Sequence, residues 1–460
     1  MYKDTSYSIK VKQGCIEPIK SNLGLRQGCP LSPMLFNLFI EDVADIFGED
    51  TYPIKMQGHS INYFLYADDL VLLSENANGL QNCLHSLGTY AEKKSLTISI
   101  KKSKTMIFNA AGLFVKKQFY IKENALEPVN TFCYLGFDMK PSGSVKHGMA
   151  TLCDKANKAL RPLLRTIANF QLSFKLSIKL FHTLISPIAL YNVENWATFS
   201  DKQLENFTPE NVFEYVEKST QDQLHRKLLK YILGVNKTSP TLTIYGDTGE
   251  TPLSIRGFTL MLNFWHRCRE LPDTNLAKIA LRENIDLRTN WIRTVERLLA
   301  SFNLIEHTEK PLFKDSSKDK GNLFFKSKWK EKITNTESSR LKFYKRLNHD
   351  RDRAVYTDLP FFQRKVIAKL RCSSHSLEIE KGRHKKIDPQ NRLCTLCANK
   401  AVEDEEHFLG NCETYEPLRR VHHFFEIGGV DIMNTTNQTN LAHYLTKALK
   451  LRKYKLGALH

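Results

Sequence analysis

The chain has 460 residues, 42% of them apolar and 25% charged, with 21 Gly and 16 Pro. That composition is globular and excludes collagen-like, low-complexity and wholly disordered chains; at roughly 150 residues per domain the length allows about three domains. The formal charge is +18, and residues 1–140 carry 15 basic against 14 acidic side chains, so +17 falls on the remainder. Two explanations stand for a neutral front and a basic rear: a polyanion partner, most simply nucleic acid, or plain solubility. No run of about 18 apolar residues occurs to span a membrane. The start, Met1-Tyr-Lys-Asp-Thr-Ser6, lacks the layout of a secretory signal. Ten scattered cysteines point to a reducing compartment with one candidate metal site rather than a disulfide framework. The expected location is therefore intracellular, in the nucleus or cytoplasm.

In chain order, Ser32 followed by Pro33 predicts a helix start, with Ser32 as cap. Leu31, Met34, Leu35, Leu38, Phe39, Val43, Ile46 and Phe47 continue it as one apolar stripe. Tyr63-Phe-Leu-Tyr66 and Leu70-Val-Leu-Leu73 flank Ala67-Asp68-Asp69, which predicts a hairpin buried on both sides. Leu80, Cys83, Leu84, Leu87 and Ala91 predict a helix. Residues 97–100, 105–108 and 132–135 read as strands. Beyond about residue 145 the periodicity is helical: over 152–167, over 174–199 with a break at Pro187, and over 221–233. The Lys/Ser-rich stretch 306–340 reads as a polar linker. The end of the chain, with Lys447, Lys450, Arg452, Lys453 and Lys455 among leucines, reads as a basic helix.

Asp68 and Asp69 carry the most information. Two ionised carboxylates among Phe, Leu, Tyr and Val repel each other and resist desolvation. A tight turn that exposes both to water is one resolution. Two-residue hairpins favour Asn-Gly or Asp-Gly, however, and no glycine stands here. A divalent cation is the other resolution, because hard oxygen ligands at a strand turn suit magnesium. Two such ions clamp the attacking and leaving oxygens of an in-line phosphoryl displacement.

Phe64-Leu-Tyr-Ala-Asp-Asp-Leu-Val-Leu-Leu-Ser74 resembles the catalytic hairpin of reverse transcriptases, those of non-LTR (LINE-type) retrotransposons in particular. Gly24-Leu-Arg-Gln-Gly-Cys-Pro-Leu-Ser-Pro33 is similar to the motif ahead of that hairpin. The resemblance implies an RNA-directed DNA polymerase using two magnesium ions at Asp68 and Asp69. It places Arg26, Gln27, Gly28, Tyr66 and Ala67 at the nucleotide and template. Gly28 suits close backbone approach, and a helix start favours phosphate. Leu96-Thr-Ile-Ser-Ile-Lys-Lys-Ser-Lys104 resembles the next family segment, with Ser99 in place of the usual Asn. Lys102 then matches the lysine that assists pyrophosphate departure. Tyr134-Leu135-Gly136 resembles the primer grip. The family's first catalytic aspartate precedes the glycine-rich motif, where residues 1–22 offer only Asp4. The expectation is a chain without the N-terminal endonuclease, fingers and first aspartate strand, and with little or no activity by itself.

Cys394-x2-Cys397, His407 and Cys412 form a Cys₃His set suited to structural zinc, its four positions filled by thiolates and imidazole. Upstream, Arg364, Lys365, Lys369, Arg371, Lys381, Arg383, Lys385 and Lys386, with Phe361, Phe362 and His375, suit phosphate contact and base stacking. Residues 392–415 also resemble the tail of LINE-type polymerases, and residues 190–196 and 228–235 resemble their thumb and connector. The expected fold is α+β: a partial polymerase palm (helix plus antiparallel hairpin) over 1–140 and a helical thumb over 141–240. A helical connector follows over 241–360, with a polar linker near 306–340. The basic segment and zinc module occupy 361–420, and a basic tail 421–460. The expected partners are an RNA template and a DNA primer, with deoxynucleotides if the chain is active. The rival reading is a non-catalytic RNA- or DNA-binding protein that retains only the thumb and zinc module.

Overall fold

The computed structural model describes residues 5–12, 14–21, 24–26, 28–307, 313–347 and 353–457. The chain divides into two compact units, Met1–Ser144 and Val145–His460. Among the described residues no helix is long and apolar enough to cross a membrane. All ten cysteines are free thiols.

The front unit mixes short helices with small antiparallel ladders. Strands Tyr63–Tyr66 and Asp69–Leu72 pair in the register Tyr63 with Leu72 through Tyr66 with Asp69. A second hairpin joins Phe132–Tyr134 to Phe137–Met139. Its turn residues Leu135 and Gly136 have φ of 45° and 84°, the left-handed pair that a tight two-residue hairpin requires. A three-stranded sheet contains Lys104–Thr105, Phe119–Ile121 and Asn124–Pro128. The core forms where helix Ala77–Lys93 lays Leu80 and Leu84 on Phe119, Ile121 and Leu126. Asn76 caps that helix by accepting from the Gly79 amide at 2.9 Å. A Cβ on Gly79 would stand 2.4 Å from the Thr51 carbonyl and from Ser74 Oγ, so only glycine lets the helix start so close. Ser74 Oγ in turn donates to the Thr51 carbonyl at 2.8 Å. The segment just after the aspartate hairpin is thereby tied to Thr51, against which the start of helix Ala77–Lys93 also packs.

Four expectations for this unit need correction. The aspartate hairpin is not buried on both sides: Phe64, Leu65 and Tyr66 are exposed, Tyr66 at 64%. The core lies under helix Ala77–Lys93 and reaches the hairpin through Leu72. Residues 97–100 form no strand; the Ser99 carbonyl accepts from the Lys102 and Ser103 amides in a turn. Ile98 and Ile100 still pack on the core, so their apolar character reports burial without pairing. Of 105–108 only Thr105 is strand, paired in parallel with Pro128. Ser32 is the first residue of helix Ser32–Phe39 rather than its cap, and its hydroxyl donates to the Arg26 carbonyl at 2.8 Å.

The rear unit is helical. Helices Lys146–Asn169, Phe174–Leu184, Thr220–Leu233 and Leu253–Glu270 pack around Leu160, Phe181, Leu228, Leu229, Met261 and Leu262, all fully buried. The stretch 306–340 corrects the linker expectation, because helix Phe313–Asn335 occupies most of it. Phe324, Phe325, Trp329 and Ile333 recur at helical spacing on one buried stripe, and Trp329 Nε1 donates to the Leu242 carbonyl at 2.8 Å. Four large apolar groups suffice to bury a helix whose average composition is polar.

The basic stretch 364–386 is also partly internal. Arg364 donates to the carbonyls of Ile232, Thr357 and Leu359. Arg371 holds Asp247 through Nε at 2.9 Å and Nη2 at 2.8 Å, while Tyr344 and Tyr356 donate to the same carboxylate at 2.9 and 2.6 Å. His375 is buried against Glu405 at 2.9 Å, which removes it as a base-stacking ring. The terminal helix Gln438–Lys455 forms, but Arg452 points inward and grips Glu403 at 2.8 and 2.6 Å.

Candidate functional site

The aspartate pair sits at a hairpin tip. Ala67 and Asp68 make the turn, with Ala67 in the left-handed region at φ 53°, and Asp69 opens the second strand opposite Tyr66. Both carboxylates and Tyr66 are exposed. Among the described residues neither carboxylate makes a hydrogen bond or an ion pair. No third carboxylate, imidazole or thiol closes on them there. Two unpaired hard-oxygen donors at the end of a rigid ladder fit part of a magnesium coordination set.

Tyr134 lies in the field of this pair. Its phenol is raised above the ordinary tyrosine value by burial, and further by the negative charge of Asp69. Leu135 and Gly136 form the tip of the second hairpin. The remaining candidates are placed less closely. Gly28 has φ 80° with open space where a Cβ would project, so its backbone conformation is what demands glycine. Arg26 and Lys102 are exposed, and no hydrogen bond or ion pair links them to either aspartate. Gln27 and Asp4 lie outside the described residues.

The cysteine–histidine segment is brought together in the rear unit. The ligand atoms of Cys394, Cys397, His407 and Cys412 all lie within 4.8 Å of one another. An antiparallel bridge between Leu393 and Val402 turns the chain back after the first two cysteines. The Leu396 amide points at Cys394 Sγ at 3.5 Å. Asp404 accepts from the His407 amide at 2.8 Å and fixes the start of the turn His407–Asn411, which delivers Cys412. Burial pushes the Cys412 thiol up to about 12 and lowers the His407 imidazole. Three thiols and one imidazole at this separation match the donor set of tetrahedral zinc.

Sequence spacing missed two arrangements. One is the buried Asp247–Arg371 node, whose partners are 124 residues apart. The other is a group of His182, His225 and Glu250, whose ligand atoms also lie within 4.8 Å. No local motif marks either, since each joins residues from segments far apart in the chain.

Residues 2–139 match the family model described as reverse transcriptase (RNA-dependent DNA polymerase). Over these residues, under a third of the chain, the protein is similar to reverse transcriptases. The match includes the aspartate hairpin and the glycine-rich motif. Among curated relatives, the Retrovirus-related Pol polyprotein from type-1 retrotransposable element R2 of Nasonia vitripennis is 35% identical over 104 residues, 23% of this chain and 10% of the relative. A Pol polyprotein of the same description from Popillia japonica is 29% identical over 161 residues, 31% of this chain and 21% of the relative. The Transposon TX1 uncharacterized 149 kDa protein of Xenopus laevis is 27% identical over 109 residues, 23% of this chain and 8% of the relative. The matches therefore span about a tenth to a fifth of these relatives' length. These relatives agree with the non-LTR retrotransposon character implied by the motifs at 24–33 and 64–74.

Proposed function

We propose that this chain is part of an RNA-directed DNA polymerase of a non-LTR retrotransposon, and that Asp68 and Asp69 are its magnesium-holding carboxylates. The observation that carries the reading is the exposed aspartate pair at a hairpin tip, unpaired among the described residues. Bound magnesium supplies charge neutralisation and Lewis acidity for nucleotidyl transfer. The chain's own residues would do the rest. The hairpin ladder fixes both carboxylates on one rigid turn. Tyr66 and Ala67 line the tip, and Tyr134, Leu135 and Gly136 present a second tip to steady the primer. Arg26, Gln27 and Gly28 would seat template and nucleotide just ahead of helix Ser32–Phe39, whose positive dipole end favours phosphate. Lys102 would accompany the departing pyrophosphate.

In this reading the rear unit is thumb, connector and zinc module, with Cys394, Cys397, His407 and Cys412 holding structural zinc. Its excess positive charge would grip the RNA template and DNA primer. The two-ion site lacks a third carboxylate among the described residues, so by itself this chain transfers nucleotides weakly or not at all.

Primer extension on an RNA template with magnesium, run beside filter binding across a salt series, tests this. Expected are salt-sensitive binding and at most trace extension that Asp68→Ala abolishes. Vigorous extension would remove the weak-activity part of the proposal. Extension unaffected by Asp68→Ala would remove the site. The charge of the rear favours one rival, a non-catalytic nucleic-acid-binding protein. Binding with no extension at any magnesium concentration supports that rival.

A further inference from the structure

We infer that His182, His225 and Glu250 form a second metal site, distinct from the Cys₃His cluster, that takes a late first-row divalent ion of the zinc class. The donor set is two imidazoles and one carboxylate, which suits zinc with a fourth position left open.

The three residues come from three segments of the rear unit. His182 is near the end of helix Phe174–Leu184, His225 is within helix Thr220–Leu233, and Glu250 follows the left-handed Gly249 that ends helix Thr241–Thr248. Glu250 Oε2 stands 2.8 Å from His182 Nε2 and 3.5 Å from His225 Nε2. Ligands at about 2.05 Å from tetrahedral zinc are separated from one another by ~3.3 Å. The two spacings lie on either side of that edge, so small side-chain shifts seat an ion.

His225 points to a ligand independently of the cluster. Its side chain is completely buried, yet neither ring nitrogen has a hydrogen-bond partner among the described residues. A buried imidazole with Nδ1 unpartnered and only the long 3.5 Å approach of Glu250 at Nε2 is costly, and a metal bond through Nε2 would lower that cost. The ring is also held in place, stacked on Phe181 at a centroid distance of 5.2 Å and 10° between planes. One helical turn earlier, Asp222 is fully buried with Oδ2 unpaired.

Arg256 opposes the ion. Its Nη1 lies 3.1 Å from His182 Nδ1 and donates to it, which places the ring proton on Nε2 and lets His182 donate to Glu250. Metal at Nε2 requires the proton on Nδ1 instead, facing the guanidinium. Arg256 is exposed and free to turn outward. The site therefore has two states: an ion-free state closed by the Arg256–His182–Glu250 chain, and a metal state with Arg256 displaced.

The test is titration of the full zinc-loaded chain with Co(II), followed by visible absorption and dialysis with metal analysis. The expected result is one further ion per chain, with weak d–d bands and no thiolate-to-cobalt charge-transfer band, because no sulfur ligates. Glu250→Gln should weaken this binding at least about tenfold. Arg256→Ala, at an exposed position, should tighten it. Binding that stops at the Cys₃His complement overturns the proposal, as does a second ion equally well held by Glu250→Gln. If circular dichroism shows Glu250→Gln unfolded, Arg256→Ala decides: unchanged or weaker binding overturns the site.

Discussion

Arg371 and Asp247 meet inside the rear unit in a two-pronged ion pair, with Nε on one carboxylate oxygen and Nη2 on the other. The guanidinium also lies over the rings of Tyr344 and Tyr356, at 5.7 and 5.5 Å from their centroids. One buried carboxylate thus receives five donors, the Cys372 thiol at 3.8 Å included, and fastens helix Phe361–Arg371 to helix Thr241–Thr248.

Removing one partner leaves the other charge buried without compensation. Arg371→Ala should destabilise the rear unit by about 3–5 kcal/mol, whereas breaking an exposed pair such as Arg420–Glu416 should cost under about 1 kcal/mol. Urea denaturation followed by tryptophan fluorescence reads the difference. Equal effects from the two variants would contradict the assignment.

The same pair sets a response to acid. Burial by itself raises the Asp247 carboxyl, but Arg371 and the two tyrosines outweigh it and hold the group below its ordinary 3.8. With the folded value depressed, the contribution to stability is present above about pH 3.8. It is lost as pH falls through the lower folded value. Asp247→Asn should flatten the acid limb of a stability–pH curve, and an unchanged limb would show that other carboxylates dominate it.

Asp68 and Asp69 predict the opposite behaviour. Because neither carboxylate is buried or paired among the described residues, Asp68→Ala and Asp69→Ala should change stability by less than about 0.5 kcal/mol. Both should abolish any magnesium-dependent extension. A large loss of stability would assign them a structural role.

Cys394→Ser with Cys397→Ser should lower zinc content by about one ion per chain. Burial raises the Cys412 thiol to about 12 in the absence of metal, so binding must expel protons. Zinc release should therefore steepen as pH falls, read with a chromophoric chelator. Content unaffected by the double substitution would exclude the cluster.

Trp329→Ala removes a fully buried indole from helix Phe313–Asn335 and should cost about 3–5 kcal/mol. Limited proteolysis should spare residues 320–335 in the wild-type chain. Rapid cleavage there would restore the linker.

What the sequence determined by itself lies within short windows. Residues 64–74 specify a tight hairpin with acids at its tip, and Cys394, Cys397, His407 and Cys412 converge because one bridge and one turn suffice to close the loop. Helices Ala77–Lys93 and Thr220–Leu233 are legible because apolar periodicity is a property of a single segment. Whether a side chain faces protein or water depends on segments far away in the chain. Arg364 and Arg371 look like phosphate ligands until Ile232 and Asp247 are found opposite them. Residues 313–335 look like a linker until Leu242 receives Trp329. His182, His225 and Glu250 carry no shared spacing, and only the packing of their segments brings their nitrogens and oxygens together. Local conformation is decided by neighbouring residues, but desolvation is decided by whatever covers a group, and that cover exists only once the chain has folded.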